Sequence, residues 1–324
     1  MKTINLLILL LSISSSSFSQ KKVHQVEWKE GESKQVILYL SGKEIKDGKT
    51  IKDTSLVSKN VLYVKEVTDS NYFIQIITEN QLVKLGKYYY EDVSNEMGSS
   101  MNFELDIKIV KDSLVSTVLN EREYHKKLSK TRDEVLEILK NKSPDKLEQA
   151  TIQLDELYSG LEQKSEASHI IDLILNSYKV EYSKADTLFT TDTIANPFNL
   201  QSFNGAKVKT YVVATKEPET FNIVVEQSYD FEAYKDLISV LSNQTSNIVG
   251  KIIKDEGNHE VVNELYAMLE QQMKSIEFNA AASTIITRKL NSNWPIKILK
   301  ESELKMKTKR GKVGALIDII IEIK

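Results

Sequence analysis

The chain has 324 residues, with 43 Lys plus Arg against 46 Asp plus Glu and a formal net charge of −3, so no basic domain of the kind that binds nucleic acid dominates it. It contains no cysteine, which removes disulfides, thiolate catalysis, cysteine-ligated zinc and iron–sulfur clusters together. A hydrophobic content of 41% with only four prolines belongs to folded chain rather than disorder.

At the N-terminus, Met1-Lys2-Thr3 is a short basic start, Ile4 to Ile13 is an apolar run broken only by Asn5 and Ser12, and residues 14–19 are mostly serine. This is the layout of a secretory signal peptide over residues 1–19, with cleavage after Ser19 leaving Gln20 first. Its apolar core is roughly ten residues, short of the ~18 that a membrane-spanning helix needs. Without Lys2 the 43 basic side chains become 42 against 46 acidic ones, a formal charge of −4. No cysteine follows the cleavage site to carry a lipid, so the sequence predicts export of a free protein to the periplasm, the cell surface or the medium. No second apolar stretch reaches spanning length, and long helical segments separate the strand-like runs. No transmembrane span, helical or barrel, is therefore expected in the mature chain.

Residues 20–110 read as an N-terminal β domain. Val36, Leu38 and Leu40 alternate with Ile37 and Tyr39, and Phe103, Leu105, Ile107 and Ile109 alternate with Glu104, Asp106 and Lys108. Asp47-Gly48 and Asp69-Ser70-Asn71 supply turns, and about five or six strands in a sandwich or small barrel are expected. Residues 111–180 then change period. Leu114, Val118, Glu121, His125, Leu128, Arg132, Val135 and Leu139 follow a heptad spacing, and Leu147, Ala150, Leu154, Leu157 and Leu161 repeat it beyond Ser143-Pro144, a predicted N-cap and first helical residue. An antiparallel helical hairpin of coiled-coil type follows from this, with a third helix over Glu166 to Lys179. Residues 181–324 form a C-terminal α+β region with strands over Val208 to Ala214 and Phe221 to Ser228. A second hairpin spans Tyr234 to Ile276, and the last strands include Val313 to Ile323. The fold class expected is therefore α+β: a β-rich N-terminal domain, helical hairpins in the middle and second half, and C-terminal strands.

Catalytic signatures are partial. Gly48-Lys49-Thr50 resembles the end of a phosphate loop, but its upstream glycine is misplaced and a turn is the simpler reading. His259-Glu260 opens an H-E-x-x-H pattern that Asn263 breaks, and Ser143-Pro144-Asp145-Lys146 matches S-x-x-K without its companion motifs. No catalytic, cofactor or metal residue is assigned, and no cofactor is expected. Two surface features remain as candidate partner contacts. Tyr88, Tyr89 and Tyr90 put aromatics on both faces of a strand, and Lys305, Lys307, Lys309, Arg310 and Lys312 form the densest cationic stretch. The sequence thus points to an exported envelope or secreted protein, more a binder or assembly factor than an enzyme. Its expected partner is a protein or glycan of the envelope and not nucleic acid. The competing reading is an envelope hydrolase of glycosidase type, whose two carboxylates come about 5 to 9 Å apart only in three dimensions.

Overall fold

The structure is a computed structural model, and it describes residues 23–97, 102–163, 165–195, 202–229, 277–308 and 311–324. The second predicted hairpin and His259-Glu260 lie outside these residues, as do Lys309 and Arg310.

The strands are β1 (Ser33–Lys46), β2 (Lys49–Val67), β3 (Asn71–Glu79), β4 (Asn102–Val110), β5 (Val115–Val118), β6 (Leu188–Ala195), β7 (Ser202–Ala214), β8 (Thr220–Tyr229), β9 (Glu277–Lys289), β10 (Pro295–Thr308) and β11 (Gly311–Ile323). All eleven belong to one sheet in the order β5-β4-β3-β2-β1-β11-β10-β9-β8-β7-β6. Each neighbouring pair is antiparallel. Between the two chain halves, β1 joins β11 from Val36↔Ile323 to Lys46↔Val313. At the end of that seam Gln35 and Lys324 exchange both backbone hydrogen bonds, at 3.1 and 2.9 Å.

This topology corrects the expected α+β class. The N-terminal strands and the C-terminal strands are not separate β layers between helical hairpins; they are two wings of a single antiparallel sheet. The physical reason lies in how strands signal themselves. Alternation marks a strand and its buried face, but the hydrogen bonds that choose its neighbours are made by backbone common to every sequence.

The helices are α1 (Gln81–Tyr89), α2 (Val93–Glu96), α3 (Glu121–Lys142), α4 (Leu147–Gln163) and α5 (Glu166–Lys179). Asn80 caps α1, its side chain accepting from the amides of Leu82 and Val83, and Ser165 caps α5 through the Ser168 amide. Glu121 and Glu123 in the first turn of α3 and Lys140 and Lys142 in its last match the helix dipole. Ser143 stands at the N-cap position with Pro144 opening a short 3-10 helix over residues 144–146, but its side chain makes no capping bond and its hydroxyl donates to the Tyr89 carbonyl instead.

The coiled-coil reading is also corrected. The helix begins at Glu121, and its buried positions are Tyr124, Leu128, Thr131, Val135 and Leu139. Leu114 sits in a turn at φ 50°, and Arg132 faces outward to meet Asp155 at 2.7 Å. The inward faces of α1, α3, α4 and α5 share one core with Val36 and Leu38 of β1, Leu62 and Val64 of β2, Ile74 and Ile76 of β3, and Leu105 and Ile107 of β4. The helices therefore cover the N-terminal wing, burying an apolar stripe as amphipathic helices of globular proteins do.

Before β1, residues 23–32 cross this core as a strap. Trp28 stacks on Trp294 with ring centroids 4.4 Å apart and planes 4° from parallel. Its indole N–H donates to the Tyr178 hydroxyl at 3.1 Å, and the Tyr72 hydroxyl donates to the Val26 carbonyl at 2.6 Å. One aromatic cluster thus ties the strap to β3, to the end of α5 and to the β9–β10 turn.

Candidate functional site

A concavity of about 930 Å³ lies on the C-terminal wing, where β6 to β10 run side by side. Register sets Phe189, Lys209, Glu226, Ser283 and Glu301 in one row across these strands. Thr191, Lys207, Ser228, Ala281 and Glu303 follow two residues along, and side-chain alternation puts both rows on the same face. Space opens here because the middle strands carry little bulk: Ala281, Ala282 and Ser283 on β9, Ser228 on β8 and Ser302 on β10 all line the trough. Consecutive residues of one strand line it, so main chain as well as side chains forms its wall. Phe189 stands at the edge strand with 76% of its surface exposed.

The best-defined electrostatic feature of the trough is Glu226. Lys209 Nζ lies 3.0 Å from its carboxylate and the Tyr211 hydroxyl donates to it at 2.8 Å. The hydrogen bond from Lys209, and then that from Tyr211, hold the Glu226 carboxyl below its ordinary range. Glu226 is therefore an ionised acceptor, a state that suits the base or nucleophile of a glycosidic cleavage and not its acid. Glu226 and Glu301 share a row with β9 between them, which sets their backbones about 9–10 Å apart.

A second polar group is enclosed under the first turn of α5. Both carboxylate oxygens of Glu166 and both amide atoms of Gln81 are shut off from solvent, with Ser58, Asn60 and Gln81 close to the carboxylate but none at good hydrogen-bond geometry. Burial raises the Glu166 carboxyl, while Ser58, Asn60 and Gln81 pull it the other way. Ser58 and Asn60 are themselves buried on β2 and bonded to each other at 3.3 Å. Among the described residues, no group of three or more His, Cys, Asp and Glu is placed to hold a metal ion.

A third group surrounds Arg288 of β9, which is fully buried. Its guanidinium lies 4.4 Å over the Tyr178 ring, and Nη2 donates to the Ser177 carbonyl and hydroxyl, each at 3.3 Å. Nearby, His24 of the strap bonds the Tyr182 hydroxyl at 3.0 Å. Desolvation, then the charges of Arg288 and Lys184, push the His24 imidazole down to about 4, so it is neutral at physiological pH.

The residues singled out in the sequence fall in two places. Tyr88, Tyr89 and Tyr90 end helix α1 rather than lying on a strand: Tyr88 is 78% exposed, Tyr89 is buried and Tyr90 is half-buried. Lys305 and Lys307 stand exposed on β10 and Lys312 on β11, beside the turn that joins those strands. Lys305 meets Glu303 of the trough at 2.7 Å. The structure also brings in residues the sequence did not single out. Phe189, Lys209 and Glu226 assemble only through strand pairing, and Lys46 and Lys49 reach the Lys312 turn only through β1–β11. A pair of lysines flanking Asp47-Gly48 was the one local signal for the last two.

No family model matches the chain, and no curated protein matches it. Among solved structures, the chain aligns with the attachment invasion locus protein Ail of Yersinia pestis in complex with the heparin analogue sucrose octasulfate, at 7% identity and a TM-score of 0.17, over 91% of this chain and 100% of that one. It aligns with an outer membrane channel of Pseudomonas putida F1 at 5% identity and a TM-score of 0.18, over 92% and 97%. Neisserial surface protein A gives 6% identity and a TM-score of 0.16, over 90% and 96%. Among the described residues no helix is long and apolar enough to cross a membrane. The expectation of no transmembrane span is thereby narrowed to helices, since strands of 13 or 14 residues such as β9, β10 and β11 exceed the ~9–11 that a crossing strand needs.

Proposed function

We propose that this chain is an exported protein of the cell envelope or cell surface that acts by binding and not by catalysis, and that the trough across β6 to β10 is where it takes its partner. The observation that carries this reading is the trough itself. Its volume is in the range of small-molecule and chain-segment sites, its middle strands are small-residue, and its rim is charged by Lys207, Lys209, Glu226, Glu301 and Glu303. Such a surface suits a slender ligand with polar groups along its length, a glycan or an extended protein segment. Export rests on residues 1–19, and Tyr88 with Tyr90 and the lysines from Lys305 to Lys312 are further contact surfaces. A hydrolase would give Glu226, held as an ion by Lys209 and Tyr211, the role of base or nucleophile, and would need a second carboxyl of the trough to act as the acid.

The test is site-specific crosslinking in the native host, with a photoreactive phenylalanine analogue at Phe189, at Tyr88 or at Lys307. A discrete adduct from Phe189 that disappears when Ala281→Trp fills the trough is the expected result. Adducts from Tyr88 alone would move the contact to the end of α1. Adducts from neither Phe189 nor Tyr88, or a Phe189 adduct indifferent to Ala281→Trp, would overturn the trough assignment.

A further inference from the structure

Two hairpin tips, more than 250 residues apart in sequence, meet at one end of the sheet. β1 turns into β2 through Asp47-Gly48, both at positive φ (48° and 78°), the geometry of the tight turn that matches strand twist. β10 turns into β11 before Gly311. Because β1 pairs with β11, Lys46 stands opposite Val313 and Asp47 reaches the far tip. The Asp47 amide donates to the Lys312 carbonyl at 2.8 Å, and its carboxylate accepts from the Lys312 amide at 2.8 Å. Gly311, at φ 130°, passes so close that a Cβ would lie 2.7 Å from Asp47 Oδ1. The two tips are thus joined at one end of the sheet, with Lys46, Lys49 and Val313 on one face and Lys307 and Lys312 on the other.

Each tip opposes like charges. Lys46 lies directly across from Lys49, and Lys307 directly across from Lys312, all four exposed, while on its other side Lys307 stands across from Glu277 of β9. Cross-strand pairs of one sign weaken a sheet. Over residues 43–53, 303–308 and 311–312 the sequence places seven basic side chains against four acidic ones, on a chain whose total is −3. Of those four, Asp53 pairs with Lys43, Glu303 pairs with Lys305, and Asp47 is turned onto backbone. Beside the lysines, Ile51 is 58% exposed and Val313 38%. Cations alone would suit any polyanion; cations flanking exposed aliphatic side chains suit a charged bilayer interface, where the two are taken up at different depths.

We propose that the joined tips dock this protein on an anionic phospholipid surface, the lysines on headgroup phosphates and Ile51 with Val313 against the acyl boundary. The idea rests on the export reading but not on the trough, so either can fail alone. The test is co-sedimentation of the purified chain with vesicles of mixed phosphatidylglycerol and phosphatidylcholine, against vesicles of phosphatidylcholine alone. Binding to the anionic vesicles only, weakened by added salt, is expected. Each lysine near such a surface is worth roughly fivefold in affinity, so K46Q/K49Q/K307Q/K312Q should bind on the order of 100-fold more weakly or worse. That variant changes exposed side chains only, so its thermal midpoint should stay close to the parent's, which separates loss of binding from loss of fold. I51S/V313S should weaken binding at high salt, where the charges are screened. Equal affinity of the quadruple lysine variant and the parent overturns the proposal. So does sedimentation of the parent that does not depend on phosphatidylglycerol, or retention on an anionic polysaccharide without vesicle binding.

Discussion

Trp28→Ala is expected to lower the stability of this protein by about 3–5 kcal/mol, the range for truncating a large enclosed aromatic. Trp28 is 3% exposed, stacks on Trp294, meets Tyr72 and Tyr178 with its ring, and donates its indole N–H to the Tyr178 hydroxyl. Alanine removes that area from the core and unpins the strap that carries His24 to Tyr182. Hydrogen exchange separates the two consequences. Amides of β9 and β10 near Trp294 should lose protection along with those of α5, because the cluster is shared between the wings. Loss confined to residues 23–32 would show that the strap rides on a core that does not need it. Denaturant unfolding gives the magnitude, and a cost below about 1 kcal/mol would contradict the packing described.

Arg288→Ala should cost about 2–4 kcal/mol by leaving a void between β9 and the end of α5 and by freeing the Ser177 carbonyl. Arg288→Met should fall within about 1 kcal/mol of the parent, since it keeps most of the volume. The contrast follows from the state of the buried guanidinium. Only Nη2 has protein acceptors, while Nε and Nη1 are enclosed without one, and burial pushes the group's protonation equilibrium down. The cation is expensive to enclose, and the Tyr178 face and the C-terminus of α5 offset only part of that cost. Chemical unfolding of the two variants decides between packing and charge. Methionine as damaging as alanine would mean that the charge itself holds α5 on the sheet.

Much of this fold is legible at the level of single elements. The clean alternation of Phe103, Leu105, Ile107 and Ile109 is β4, and all four side chains are buried. The helix over Glu166 to Lys179 is equally plain, whereas no strand is expected at β6 and β10 reads as two strands, Ile296 to Lys300 and Glu303 to Thr308, instead of one. Partnership is not, because Ser41 and Asp318, bonded across β1 and β11, stand 277 positions apart in a sequence that carries no mark of their pairing. The seam of α3 shows a finer limit. A repeat counted from Leu114 selects His125 and Arg132, whereas the helix begins at Glu121 and buries Tyr124 and Thr131. A shift of one residue turns a helix by about 100°, enough to exchange its wet and dry faces. The β propensity of Tyr88 to Tyr90 points to a strand, although Asn80, three residues before Val83, is a helix start that outweighs it.

The trough was beyond the reach of the sequence for a related reason. Lys209 and Glu226 are ordinary charged residues until β7 and β8 pair, and the small residues of β9 are unremarkable until they lie between Ser228 and Ser302. Arg288 and Trp28 likewise gain meaning only from what surrounds them. The lysine tips were half legible: Lys305 to Lys312 stand out as a run, while their neighbours Lys46 and Lys49 arrive from the opposite end of the chain.

The pairing of β1 with β11 therefore underlies the single sheet and the joined tips alike, and the absence of cysteine allows a clean test of it. Ser41 and Asp318 are direct cross-strand partners near the surface, with a hydrogen bond of 3.3 Å between their side chains. Facing positions of antiparallel strands lie about 4.5–5.5 Å apart at Cα, within reach of a disulfide. Mild oxidation of S41C/D318C should close an intramolecular disulfide, read by mass spectrometry of the peptides joined on proteolysis. The out-of-register pair S41C/E322C should remain reduced. Free thiols or only intermolecular crosslinks in S41C/D318C would contradict the pairing, and with it the one-sheet fold.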